Sequence, residues 1–189
     1  ADRLVQFPLG IFGIATATAV LPSLSRQAAE KDLQAVRDTF SYAMRMVFFI
    51  TIPSMVGLIV LREPIVALLF KRGAFDSEST HLTAYAVLYY SIGLWAFSAV
   101  RIVVSTFYAL QDTWTPVRTA AVSVCANIIL GVILMGPMGH GGLALSTSLA
   151  SMLNLGLLVQ VLRKKLDALE LKGIIESACK TMICSVFMG

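Results

Sequence analysis

Residues 1–26 read ADRLVQFPLGIFGIATATAVLPSLSR, and this stretch decides the fold of the chain. From Leu4 to Ser25 it runs for 22 residues without a charged side chain. A helix rises by about 1.5 Å per residue, so this run covers roughly 33 Å, enough to cross a hydrocarbon core of about 30 Å. Asp2 and Arg3 precede it directly. Its small residues, which favour close helix packing, are Gly10, Gly13, Ala15, Ala17 and Ala19. We therefore predict a membrane-spanning helix that carries two opposite charges at one end.

The composition of the whole chain is typical of a membrane protein. Of its 189 residues, 57% are hydrophobic and 14% are charged, and the mean hydropathy is +0.80. Soluble domains carry about 25% charged residues. The first run is not a secretory leader, because Asp2 and Arg3 stand where a leader has a basic segment. The chain has no initiator methionine and ends within an apolar run, so we expect it to be a piece of a larger protein.

Further apolar runs predict an all-α fold, a polytopic transmembrane helix bundle with about five full spans and a truncated sixth. The second span covers 39–61 and the third roughly 81–110. Residues 119–162 carry no formal charge over 44 positions, and the glycine-rich GPMGHGG at 136–142 divides them into two spans. The chain thus falls into three parts: residues 1–162, five spans of one transmembrane lobe; residues 163–173, a basic cytoplasmic loop; and residues 174–189, the start of a further helix.

The connections between the spans carry their own signals. Residues 27–38 are polar and helix-prone, which predicts either a short interfacial helix or the beginning of the second span. The connection at 111–115 is tight, and we expect Thr113 or Thr115 to cap the fourth span, with Pro116 in its first turn. Each of these features implies short turns rather than long loops.

Basic residues lie in the loops and indicate the orientation of the chain. The loops after the first, third and fifth spans hold eight lysines and arginines, whereas the opposite side holds three. The positive-inside rule therefore places the first group in the cytoplasm. This distribution explains the net charge of +4, so we predict membrane lipids and the remaining helices of the same protein as partners, and no nucleic acid. The cysteines show no spacing for a disulfide or metal site.

Several polar residues fall inside the predicted spans. Arg45 and Arg101 either extend along their own stems to the membrane surface or face a cavity. Asn127 and Asn154 lie midway along the fourth and fifth spans, where an amide most often forms a hydrogen bond between helices. The sequence contains no nucleophile elbow, phosphate-binding glycine loop or HExxH motif. Binding and moving an anionic amphiphile fits these residues better than an enzyme reaction does.

Three stretches resemble the MurJ/MviN family of lipid II flippases. Residues 1–26 resemble the family's eighth transmembrane helix, FYALQDTWTPV at 107–117 resembles the turn between its tenth and eleventh helices, and GLALSTSLASMLN at 142–154 resembles its twelfth. The resemblance covers essentially the whole chain in order. It implies a multi-pass protein of the bacterial inner membrane that flips lipid II by alternating access. The chain would then supply the eighth to thirteenth of 14 helices.

The resemblance also implies roles for individual residues. Arg3 matches a cavity arginine that engages the lipid II pyrophosphate, Asp2 matches the acidic residue before it, and Gln6 stands where some members have glutamate. Some members bind sodium, and the residues matching that site are Asn127, Thr147 and the backbone carbonyl of Leu143. The family's aspartate four residues after the asparagine is Gly131 here. The resemblance implies no other cofactor.

Other functions stay open on the sequence alone. The shared fold also suits an exporter of drugs or of other polyprenyl-linked glycans, because a fold does not fix the substrate. A membrane enzyme acting on lipid-linked sugars would need clustered acidic residues, which the loops do not supply. A further alternative is a membrane scaffold that transports nothing.

Overall fold

The computed structural model describes residues 6, 9–70, 77–166 and 171–188 of the chain. A π-helical segment, Leu9–Ile14, leads into the first α-helix. The α-helices are α1 (Ala15–Ala29), α2 (Leu33–Val60), α3 (Arg62–Phe70), α4 (Ser77–Ile92), α5 (Leu94–Ala109), α6 (Trp114–Met138), α7 (His140–Lys165) and α8 (Leu171–Met188). The predicted all-α bundle is confirmed, and the described residues contain no strand.

Within the described residues, three helices are long and apolar enough to cross a membrane: Leu33–Val60, Trp114–Gly136 and Gly141–Lys165. The pair Leu82–Ile92 and Leu94–Ala109 gives a fourth if it is counted as one span bent by 42°. These four correspond to the predicted second to fifth spans. Residues 33–38 are the beginning of α2, which decides between the two predictions for that stretch. The basic residues 163–165 form the last turn of α7 rather than part of a loop.

Helix α5 lies at the centre of the bundle and packs against α1, α2 and α7. Helix α6 packs along α7 as an antiparallel hairpin, and α8 packs on α2. The hairpin turns at Gly139, whose φ of +54° is a left-handed conformation that glycine adopts without strain. Gly142 then lies against the backbone of Leu134, where an added Cβ would collide with the carbonyl group. The glycine-rich segment therefore divides two spans, as the sequence predicts.

The main hydrophobic core lies where α1, α5 and α7 end and α2 and α8 begin. Its largest fully buried side chains include Leu24, Phe40, Ile102, Phe107, Leu158, Leu162 and Leu166. Toward the opposite end, the buried hydrophobic residues form two smaller clusters, one around Met55 and Leu94 and one around Val66, Ala84 and Val87. Packing thus closes the bundle at the end that carries the basic turns.

The turns α1–α2 and α5–α6 are built in the same way. Lys31 and Gln111 occupy the left-handed region, with φ of 57° and 59°. In the first turn, the Lys31 and Asp32 amides donate to the carbonyls of residues 28 and 27, at 3.1 and 3.0 Å. In the second, the Gln111 and Asp112 amides donate to the carbonyls of residues 108 and 107, at 3.0 and 2.9 Å. Both are Schellman motifs, which satisfy the last carbonyls of a helix.

Each turn then uses an aspartate to cap the next helix. Asp32 Oδ1 accepts from the Ala35 amide, and Asp112 Oδ1 accepts from the Thr115 amide, both at 3.0 Å. The prediction that Thr113 or Thr115 caps this helix is wrong. Thr113 makes no capping hydrogen bond, and the Thr115 hydroxyl donates to Asp112 Oδ2 at 2.7 Å. A carboxylate accepts from several donors at once, which gives it the stronger cap.

Asp112 also joins the α5–α6 turn to the end of α7. Lys165 Nζ lies 2.6 Å from Asp112 Oδ2 and 5.9 Å from the centroid of the Phe107 ring. The hydrogen bond from Lys165, followed by those from the Thr115 hydroxyl and amide, holds the pKa of Asp112 well below its usual range. Two of the loops that the charge count assigned to one side are therefore at the same end of the bundle.

Replacing Asp112 with alanine should lower the free energy of unfolding by about 1–2 kcal/mol, because it removes a helix cap worth about 1 kcal/mol together with an ion pair whose lysine is 43% exposed. The measurement is the unfolding transition of the full-length protein in detergent. Because the pKa is lowered, the carboxylate stabilises fully above the ordinary value of about 3.9 and progressively less as the pH falls below it.

The matched control is Glu176→Ala. Glu176 and Lys180 also form an ion pair, at 2.7 Å, but their side chains are 67% and 72% exposed. This change should leave the transition where it is. An equal loss of stability in the two variants would contradict a special role for Asp112.

Candidate functional site

The residues that the sequence assigns to a substrate cavity lie at the start of the chain. Asp2 and Arg3 are outside the described residues. Gln6 is helical and its side chain is exposed. The proposed role of these three residues therefore stays a prediction.

The residues assigned to an ion site come together. Asn127 on α6 and Leu143 and Thr147 on α7 line one pocket of about 290 Å³ between α4, α6 and α7. Its other lining residues are Tyr90, Ile128, Gly131, Val132, Met135 and Ser146. The hairpin at Gly139 brings the two helices together, so residues 16 positions apart or more face the same space. The three residues are therefore close enough to act together, and their role as an ion site stays a prediction.

Helix α6 presents a polar ridge to α7. Thr115, Thr119, Ser123, Asn127 and Gly131 follow one another at intervals of four, a spacing that places side chains on one side of a helix. Thr119 and Ser123 are buried. The apolar residues of the same helix are exposed, among them Val122, Ile129 and Ile133. Helix α6 therefore buries its polar face against α7 and leaves its apolar face to the surroundings.

Hydroxyl groups satisfy the carbonyls of α7 along this ridge. Ser123 Oγ donates across the interface to the Ala150 carbonyl at 2.5 Å. At the pocket, Ser146 Oγ and Thr147 Oγ1 both donate to the Leu143 carbonyl, each at 2.9 Å. Two of the three oxygen atoms predicted to bind an ion, Thr147 Oγ1 and the Leu143 carbonyl oxygen, are therefore hydrogen-bonded to each other. A hydroxyl that donates its hydrogen keeps its lone pairs, so this bond leaves Thr147 Oγ1 able to coordinate a cation.

The pocket lining is mostly apolar, carries the polar groups of Tyr90, Asn127, Ser146 and Thr147, and has no formal charge. Gly131 contributes no side chain, and an added Cβ there would lie 3.5 Å from Ser146 Oγ, an ordinary contact distance. Within the described residues, no group of three or more His, Cys, Asp or Glu side chains is placed to hold a metal ion. The donors available in the pocket are neutral oxygens.

The structure separates the other polar residues of the predicted spans from this pocket. Arg45 and Arg101 are exposed, which agrees with both predictions for these side chains. Asn154 Oδ1 is buried without a hydrogen-bond partner. The side-chain hydrogen bonds that the structure gives between these helices come from Ser123 and Ser148 instead. Serine can approach a neighbouring backbone more closely than asparagine because its side chain is shorter, which suits it to these contacts.

Sequence reasoning missed Tyr90 as a residue of the pocket. Tyr90 lies on α4, and no local pattern relates it to Asn127 or Thr147, because only the packing of α4 on α7 brings it there. Ser146 was recognisable as part of a polar stretch that also contains Thr147 and Ser148. The spacing of polar residues on α7 could thus have indicated Ser146 as a pocket residue, whereas no sequence pattern indicated Tyr90.

Comparison with known proteins gives a consistent result. The model of the family described as "Lipid II flippase MurJ" matches residues 1–189. A probable lipid II flippase MurJ from Vibrio cholerae is 38% identical over 182 residues, which is 96% of this chain and 33% of that protein. One from Rickettsia prowazekii is 33% identical over 190 residues, covering 100% of this chain and 37% of its own length. The chain thus spans about a third of these curated relatives.

A solved structure shares the arrangement of the helices. It is described as lipid II flippase MurJ in an inward closed conformation, and it matches with a TM-score of 0.83 at 28% sequence identity. The match covers 98% of this chain and 38% of the solved chain. The bundle described above is therefore similar to one part of that structure.

A cysteine introduced at Thr147 should react with a charged methanethiosulfonate reagent at least tenfold faster than one introduced at Ile129, because the polar groups of Tyr90, Asn127 and Ser146 in the pocket offer hydrogen-bond partners to water. Ile129 is 60% exposed on the apolar face of the same hairpin. The measurement is the labelling rate in membranes, in a background where the exposed Cys125, Cys179 and Cys184 are replaced by alanine. Equal rates at the two positions would mean that the pocket is not hydrated.

Proposed function

Because this chain belongs to the lipid II flippase family MurJ, we propose that it forms one wall of a transporter that flips lipid II across the membrane. The chain is part of a multi-pass membrane protein, and the proposed activity moves its substrate without a chemical reaction. The observation that carries the proposal is the family match along all 189 residues, on a bundle with the helix order of a solved family member.

Alternating access is the mechanism that this architecture supports. In such transporters, groups of helices rock against each other around a site near the middle of the membrane. The main core and the Asp112–Lys165 pair hold one end of the bundle together. The opposite end has smaller hydrophobic clusters and the pocket between α4, α6 and α7. A lobe built in this way pivots as a unit about its closed end.

For the substrate, we propose that Arg3 binds the diphosphate of lipid II, with Asp2 and Gln6 beside it. Arginine suits this role because its planar fork binds phosphate oxygens in pairs and keeps its charge in a low-dielectric site. The location we propose is the bacterial inner membrane, with the turns around Lys31 and Asp112 in the cytoplasm. The excess of basic residues on that side supports this orientation.

We further propose that the pocket between α6 and α7 holds a sodium ion as the coupling ion. The amide oxygen of Asn127, the hydroxyl of Thr147 and the carbonyl of Leu143 are hard oxygen donors of the kind that such cations take. A bound cation would supply an electrostatic link between α6 and α7. Since the lining has no carboxylate, the charge that balances the ion would come from another part of the full-length protein.

Replacing Arg3 with alanine in the full-length protein should abolish complementation of a flippase-depleted bacterial strain, because the diphosphate would lose its bidentate partner. Arg3→Lys should restore growth only in part, since lysine offers a point charge without the fork. Arg26→Ala is the matched control: Arg26 is exposed at the last turn of α1, and its loss should leave growth unchanged. Full growth with Arg3→Ala would exclude the proposed role.

Replacing Gly131 with aspartate should strengthen sodium binding about tenfold or more, because it adds a carboxylate to a pocket of neutral donors. The measurement is the rise in melting temperature of the purified protein in sodium chloride relative to choline chloride at equal ionic strength. Gly156→Asp is the control, since Gly156 lies exposed on α7 away from the pocket. A sodium-specific rise of the same size in both variants would contradict the proposed site.

A further inference from the structure

The helical segment formed by α4 and α5 is interrupted at a single residue, Gly93. The two helices meet there at an angle of 42°. The Gly93 amide donates to the Tyr90 carbonyl at 3.1 Å, three residues back. In a continuous α-helix it would donate four residues back, to the carbonyl of Tyr89. The bend therefore deprives the Tyr89 carbonyl of its ordinary partner.

A side chain from another helix takes the place of that amide. Ser148 Oγ, on α7, donates to the Tyr89 carbonyl at 2.7 Å. Ser148 is fully buried, with 0% exposure, so this hydrogen bond has no competition from water. In a membrane such a carbonyl must find a partner within the protein. The hydroxyl of Ser148 thus satisfies the group that the bend exposes.

The absence of a side chain at Gly93 makes this contact possible. A Cβ at Gly93 would lie 2.6 Å from Ser148 Oγ and 2.8 Å from Ser148 Cβ. These distances are shorter than real carbon contacts allow, so any other residue would push α7 away. Gly93 and Ser148 therefore act as a pair: Gly93 leaves the space that the Ser148 side chain occupies, and Ser148 donates the hydrogen bond to the Tyr89 carbonyl.

The Tyr89 carbonyl consequently has two alternative donors. In the bent form it accepts from Ser148 Oγ, and in a straight form it would accept from the Gly93 amide. Each form satisfies the Tyr89 carbonyl: straightening would move the Gly93 amide from the Tyr90 carbonyl to the Tyr89 carbonyl and release the Ser148 hydroxyl. An element with two discrete arrangements is what a conformational change requires.

The bend adjoins the pocket between α4, α6 and α7 on both sides. Tyr90 follows the accepting residue on α4, and Ser146 and Thr147 precede the donor on α7. All three line the pocket. Straightening of α4 and α5 would move Tyr90 relative to Thr147 and so change the width of the pocket.

We propose that Ser148 is a positioning residue, whose hydroxyl holds the α4–α5 break in its bent form and thereby sets the distance between Tyr90 and Thr147 across the pocket. The link to ion coupling rests on the proposed function. The bend itself does not, because it is defined by hydrogen bonds that need neither lipid II nor sodium.

The test is the distance between spin labels at Leu82 and Tyr108, which are 54% and 49% exposed on the two arms of the bend. The full-length protein is used in lipid nanodiscs, with its native cysteines replaced. Straightening a bend of 42° should lengthen this distance by about 2 Å, given a rise of about 1.5 Å per residue in each arm. Ser148→Ala should produce this lengthening or broaden the distribution toward it.

Gly93→Ala breaks the same contact from the other side and should shift the distance in the same direction. Ser98→Ala is the matched control, because Ser98 is also fully buried but donates to Leu94 of its own helix at 3.0 Å. It should leave the distance unchanged. A distance in Ser148→Ala or Gly93→Ala equal to that of the parent protein would overturn the proposal.

Exchanging Gly93 and Ser148 distinguishes two roles of the Ser148 hydroxyl. One is to link α7 to α4, and the other is only to supply a hydrogen bond to the Tyr89 carbonyl. In the double variant Gly93→Ser/Ser148→Gly, the new hydroxyl can donate to Tyr89 within its own helix, as Ser91 does to Val87 at 2.7 Å. The link to α7 is then lost while the carbonyl stays satisfied. The double variant should therefore behave like Ser148→Ala, and a return to the parent distance would mean that Ser148 has no positioning role.

Discussion

Backbone hydrogen bonding is the constraint on which the rest of this structure depends. In a hydrocarbon environment a peptide group has no water to turn to, so each amide and carbonyl needs a partner from the protein. Helices meet this demand along most of the chain, and the informative positions are those where a helix stops. At the α1–α2 and α5–α6 turns, Schellman bonds and an aspartate supply the missing partners. At Gly93 the partner comes from Ser148, a residue 55 positions away in the sequence.

The same constraint explains why the two ends of the bundle differ. At the closed end, Asp112 accepts three hydrogen bonds. Two come from Thr115 and one comes from Lys165, its ion-pair partner. The opposite end contains hydroxyls and an amide around a pocket of about 290 Å³. A hydroxyl group can rotate and exchange one hydrogen-bond partner for another, whereas a carboxylate that accepts several hydrogen bonds is held in place. The end of the bundle at Asp112 is therefore the more rigid one, and the end at the pocket is the more adaptable one.

The sequence predicted the helices well because their signal is local. Long apolar runs with few or no charges define α2, α6 and α7, and a glycine-rich segment marks the turn at Gly139. The bend at Gly93 escaped prediction, because residues 81–110 are apolar on both sides of it and hydropathy does not report a change of hydrogen-bond partner. The cap by Asp112 was missed for a related reason, since threonine and aspartate both suit that position and only the three-dimensional contacts decide.

The pocket was predictable in part. Asn127, Leu143 and Thr147 were found through a resemblance to a known family, and they lie on one hairpin whose register the short turn fixes. Tyr90 belongs to another helix, and its place depends on how α4 packs against α7. Residues that only tertiary packing brings together show no regular spacing along the chain. The sequence therefore predicted the pocket residues on α6 and α7 but not Tyr90 on α4.

The twin turns have a consequence for how such a protein could be rebuilt. The four-residue unit from Ala29 to Asp32 and its counterpart from Ala109 to Asp112 share a backbone path and a terminal carboxylate, although they share only their first and last residues. Each makes a corner between consecutive helices without glycine and relies on a capping carboxylate rather than on chain mobility. A designer could therefore use the same backbone pattern to end one membrane helix and begin the next.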